Sequence, residues 1–119
     1  MFKKAIFSLL AIVAISSVAY AYSYDTNLPL PGKSIAGEAV QRNTLFTAYS
    51  FAHRVAAPDC KDFAIIDTNV SSPKQDNKWE EVWTIKACSR VADVPITFTI
   101  KDSGTTYAID PMGVRVTNK

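Results

Sequence analysis

An α+β domain is the fold this sequence predicts: one long N-terminal helix packed on a four-stranded antiparallel meander, with one disulfide inside the domain. Three observations carry it. Residues 34–57 place apolar side chains at spacings of three and four, the period of a helix. Four later stretches alternate apolar and polar residues with period two. Two cysteines fall opposite one another when the first pair of those stretches is folded into a hairpin.

The helical stripe is Leu45, Ala48, Tyr49, Ala52, Val55 and Ala56, with Phe46 and Phe51 lying off it. Ser34 followed by Glu38 marks a loose start, one residue longer than a capping box. Asn43-Thr44 is a place where the helix breaks or recaps. Pro58 ends it, because the residue before a proline is pushed out of the α region. Residues 22–33 precede it as an extended lead-in, with Pro29, Pro31 and Gly32 and no helical period; docking of Leu28 or Leu30 would order them. Tyr22 and Tyr24 alternate with polar residues, as in a short edge strand.

Cys60 to Cys88 reads as a disulfide-closed hairpin. Its polar centre, residues 71–77, holds the turn-formers Pro73, Asp76 and Asn77. Folding about Lys74 pairs residues whose numbers sum to 148, so that Ile65 faces Trp83, Phe63 faces Ile85 and Cys60 faces Cys88. One face then carries Phe63, Ile65, Trp79, Trp83, Ile85 and Ala87, and it should meet the helix. The other carries Ala64, Ile66, Thr68, Glu80, Val82, Thr84 and Lys86. The cysteines are not in a C-x-x-C motif, so the bond reads as a staple. Closing a loop of 28 positions stabilises by about 3 kcal/mol in the chain-entropy account.

After a turn at residues 89–93, Val94 to Lys101 alternates as a strand that tolerates Pro95 near its start. Asp102 to Thr105 forms the next tight turn. Pairing numbers that sum to 207 sets Ile100 opposite Tyr107 and Phe98 opposite Ile109. For that face to be the helix-covered one, the turn after Cys88 must shift parity, through a bulge or an odd sum. Pro111 and Gly113 close the last strand, and Val114 and Val116 suggest a short terminal extension. In its order of elements alone the chain resembles small cystatin-like and NTF2-like folds. That resemblance implies an arrangement of helix on sheet and no activity.

Residues 1–21 read as a signal peptide: a basic start at Lys3 and Lys4, an apolar run, and Ala19-Tyr20-Ala21 as the cleavage motif. A periplasmic or secreted domain of residues 34–119, preceded by the lead-in, is the expected product. The whole chain carries 13 Lys+Arg against 11 Asp+Glu; without Lys3 and Lys4 the balance is 11 to 11. Such a balance supports neither a nucleic-acid surface nor a polybasic membrane patch.

Candidate chemistry is sparse. His53 is the single histidine; it has Asp59 and Asp62 as sequence neighbours, and with no second histidine no metal or cofactor site is expected. Under the 148 register Asp67 stands across from Glu81 beside Trp79 and Trp83, an unfavourable like-charge pair. Arg54 or Arg42 on the helix is the expected counter-ion of Glu81. The function expected is contact with a protein partner in the cell envelope or outside the cell, as a non-enzymatic accessory or inhibitor-type module. Its surface would be Trp79, Glu81, Asp67 and Tyr107. The alternative is a carrier of small lipophilic ligands with a pocket of Trp83, Ile65 and Tyr49 between helix and sheet. A hydrolytic enzyme ranks third, because no nucleophile elbow or histidine pair is present.

Overall fold

The computed structural model describes residues 22–118; the expected signal peptide and its cleavage point lie outside the described residues. In chain order the elements are β1 (Ser23–Tyr24), α1 (Glu38–Ala56), β2 (Asp62–Gln75), β3 (Lys78–Ala87), β4 (Arg90–Lys101), β5 (Gly104–Ile109), a single 3-10 turn (Pro111–Gly113) and β6 (Arg115–Asn118). The sheet runs β1-β2-β3-β4-β5, and β6 joins the same edge of β4 below β5. β1 lies parallel to β2; every other pairing is antiparallel. The expected α+β meander is present, but within a sheet of six strands rather than four.

The helix begins at Glu38, four residues later than the sequence suggests, behind a Gly37 cap that makes no side-chain hydrogen bond. Residues 30–35 are instead tied to Gln41 of α1, Thr68 of β2 and Glu81 of β3. Glu38 in the first turn and His53 and Arg54 in the last complement the helix dipole. Asn43-Thr44 does not break it; the buried Thr44 hydroxyl is satisfied within the helix by donating back to Val40 O at 2.7 Å. Ala57, outside the α region at φ −148° and ψ 67°, ends it ahead of Pro58.

The disulfide joins Cys60 to Cys88, with Cα atoms 5.9 Å apart. The hairpin register, however, differs from the one expected. The turn is Asp76-Asn77, both left-handed at φ 54° and 63°, which suits a two-residue primed turn and residues that tolerate positive φ. The turn sets Gln75 opposite Lys78, a sum of 153, and three register shifts along β2 bring the sum to 150 where Phe63 faces Ala87 and Ile65 faces Ile85. Moving by two leaves Phe63, Ile65 and the β3 side chains on their expected faces. A bulge between Ile65 and Asp67 then inserts one residue and reverses parity, so Thr68 faces Trp83 and turns inward. Asp67 faces Thr84 and Glu81 faces Val70, so the expected acidic pair does not form.

Cys88, at φ 57°, makes a two-residue turn with Ser89, and β4 starts at Arg90 rather than Val94. The β3–β4 pairs sum to 177, the odd sum that the meander needs: Trp83 faces Val94, Glu81 faces Ile96 and Trp79 faces Phe98. Across the last hairpin the sum is 205, so Phe98 faces Tyr107 and Ile96 faces Ile109. Inward residues of four strands thus share one face. Phe63, Ile65, Trp79, Trp83, Ile85, Val94, Ile96 and Phe98 are buried there against Leu45, Ala48, Tyr49 and Ala52 of α1. Each buried large apolar side chain contributes about 1.5–3 kcal/mol of transfer free energy.

Candidate functional site

Glu81 is the best-defined polar centre of the molecule. It lies at 0% exposure, under the helix-covered face. Its Oε1 accepts from Trp83 Nε1 at 2.8 Å; its Oε2 accepts from Trp79 Nε1 at 2.8 Å and from the Ile35 backbone N–H at 3.0 Å. The β-strand period places both indoles beside it, at i−2 and i+2 on the same face. Three N–H donors offset the desolvation of the carboxylate. The expected arginine partner is absent among the described residues: Arg54 sits 4.9 Å over the Phe51 ring instead.

Three of the expected contact residues are consequently internal ties. Trp79, 5% exposed, stacks on Phe98 at 5.0 Å rather than ending at an open rim. Tyr107 is half-buried and shares a 2.7 Å hydrogen bond with Thr47 of α1. Glu81 is fully enclosed. Asp67, also half-buried, accepts from Asn69 Nδ2 at 3.0 Å. Trp79 and Glu81 are thus corrected as surface residues: the strand face that carries them is the one the helix covers.

The expected pocket residues Trp83, Ile65 and Tyr49 are all buried, and their own side chains fill the space between helix and sheet. The Tyr49 hydroxyl donates to Asp25 O and accepts from Ile65 N–H at 3.1 Å. Burial pushes its phenol up to about 12, opposed by the Ile65 N–H and aided by the Asp25 charge. His53 Nε2 donates to Pro58 O at 3.0 Å and so completes the helix exit, bonding to neither Asp59 nor Asp62. Asp59 instead meets Arg90 at 3.1 Å; its own backbone N–H and then the Arg90 guanidinium hold its carboxyl below the usual range. Among the described residues no group of three metal-ligating side chains converges, and no helix is long and apolar enough to cross a membrane.

Two surface features remain. The first is an aromatic strip where β1 meets α1. Tyr22 lies 5.1 Å from the His53 ring and 6.3 Å from Tyr24, and Tyr24 meets Phe46 edge-on at 6.1 Å. Phe46 is 53% exposed and Tyr22 44%. The sequence held a signal for it: Phe46 and His53, seven apart, share a helix face that is not the buried one. The second is an open groove of about 340 Å³ on the sheet face away from the helix, lined by Ser23, Asp25, Asp62, Phe63, Ala64, Lys86 and Cys88. Neither feature was among the expected sites, because each needs β1 placed beside β2.

No family model matches the chain, and no curated protein or solved structure matches it either.

Proposed function

We propose that this chain is an exported, non-enzymatic domain that works by contact with a protein partner, and that the strip of Tyr22, Tyr24, Phe46 and His53 is the contact surface. The observation that carries this reading is the exposure of Phe46 and Tyr22 while both rings are held in place by neighbouring rings. Orienting a large apolar ring before binding lowers the entropy cost of an interface, and aromatic anchors dominate interface energetics. Export rests on the amino-terminal pattern of residues 1–21, and the Cys60–Cys88 bond suits an oxidising compartment. The filled space around Trp83, Ile65 and Tyr49 favours contact over carriage of a lipophilic ligand between helix and sheet.

A photo-crosslinking amino acid placed at position 46, compared with one at the exposed Thr106 on β5, tests the reading in the producing cell. A discrete adduct with one protein from position 46 and none from position 106 is expected. Equal labelling from both positions, or no adduct from position 46, would overturn it.

A further inference from the structure

The groove on the uncovered sheet face is built by register. Because Ser23 pairs with Asp62 and Tyr24 with Phe63, Asp25 comes beside Ala64 on one side. Lys86 pairs with Ala64 on the other. Ser23, Asp62 and Cys88 form the adjoining row. A carboxylate and an ammonium thus flank a methyl group across two strand spacings, about 9.5 Å from backbone to backbone. The small side chain in the middle is what leaves the groove open. Among the described residues Asp25 and Lys86 form no ion pair with one another; the pair present is Arg90–Asp59.

Asp25 is already oriented, since its Oδ1 accepts from the Asn27 backbone N–H at 3.0 Å, leaving Oδ2 to a ligand. Beneath lies the buried Phe63, and the Cys60–Cys88 bond fixes one end. The volume of about 340 Å³ falls at the lower end of small-molecule sites, roughly 300–1,000 Å³.

We propose that this groove binds a small zwitterion, an amino acid or short peptide with free termini. Its ammonium sits at Asp25 and Asp62, and its carboxylate at Lys86. Complementary charge at fixed separation selects such a ligand over a neutral or singly charged one of equal size. The groove is separate from the aromatic strip, so this site stands whether or not the strip binds a protein.

Amide NMR shifts of the purified exported protein, titrated with the dipeptide Ala-Ala, test the proposal. Saturable shifts at Asp25, Ala64 and Lys86 are expected. Because exposed charge pairs contribute up to about 1 kcal/mol, N-acetyl-Ala-Ala and Ala-Ala amide should each bind roughly fivefold more weakly. Lys86→Gln should weaken Ala-Ala by a similar factor and leave Ala-Ala amide unchanged; Asp25→Asn should do so for the acetylated form. Ala64→Leu, outward-facing and checked for native amide dispersion, should abolish the shifts, and Phe46→Ala should not alter them. Absence of saturable shifts with the unmodified protein, equal binding of the blocked dipeptides, or an unaffected Lys86→Gln would each overturn the assignment.

Discussion

A buried carboxylate is costly to keep, and Glu81 shows what makes it tolerable here. Both oxygens accept from N–H groups, two of them indoles that would themselves lack partners in an apolar core. Glu81→Gln keeps the shape but replaces one acceptor oxygen with a donor. Whichever way the amide is turned, at least one indole N–H then faces an N–H₂ group. At about 1–3 kcal/mol for each buried group left unsatisfied, the variant should lose roughly 2–4 kcal/mol. Urea unfolding measures it; a midpoint equal to that of the unsubstituted protein would show that these hydrogen bonds add nothing. Gly32 is a second residue with one solution. At φ 100° its Cα lies against Thr68, and an added Cβ would collide with the Thr68 backbone N and O.

At the scale of elements, the segment between β1 and α1 is ordered by polar ties rather than by strand pairing. Leu30 N–H donates to Gln41 Oε1 at 2.8 Å, and Gln41 Nε2 donates to Ala36 O at 3.0 Å. Lys33 N–H reaches Thr68 O at 2.7 Å, Ser34 N–H reaches Thr68 Oγ1 at 3.0 Å, and that hydroxyl donates to Pro31 O at 2.8 Å. The bulge between Ile65 and Asp67 matters because it turns Thr68 toward this segment. Thr68→Val removes one acceptor and one donor at nearly constant volume. It should cost about 1–2 kcal/mol and, more tellingly, speed trypsin cleavage after Lys33. Unchanged cleavage would mean that Leu30 burial alone secures the segment.

Across the whole molecule, Tyr49 ties three segments together: it sits on α1, donates to the lead-in and accepts from β2. Its phenol, moved from 10.0 to about 12, remains protonated in the fold where the unfolded chain would release the proton. Below pH 10 its contribution is present in full, and it is lost as pH rises from about 10 to about 12. Lysines titrate in the same range, so the measurement compares urea midpoints of the protein and Tyr49→Phe across that window. The decline should be steeper with tyrosine in place. Parallel curves would show that the phenol is not coupled to folding.

Much of this organisation was legible in period and punctuation. The helix stripe, apart from the exposed Val55, and the Pro58 stop follow from helical period and punctuation; the inward face of the hairpin follows from side-chain parity, which survives a register error of two, as at Cys60–Cys88 and at Phe98–Tyr107. What period cannot reveal is an inserted residue, or a strand whose partner lies far along the chain. The bulge at Ile66 sent Thr68 inward, Glu81 found indoles and a backbone amide where an arginine was expected, and β1 and β6 joined the sheet through pairings 39 and 28 positions apart. The sequence by itself therefore determined which faces are apolar, because that depends on neighbours two to four residues away, and where the chain is stapled, because it holds two cysteines. Tertiary structure decided which polar groups are enclosed and which rings and charges stand together outside, because that depends on which strand comes to lie beside which.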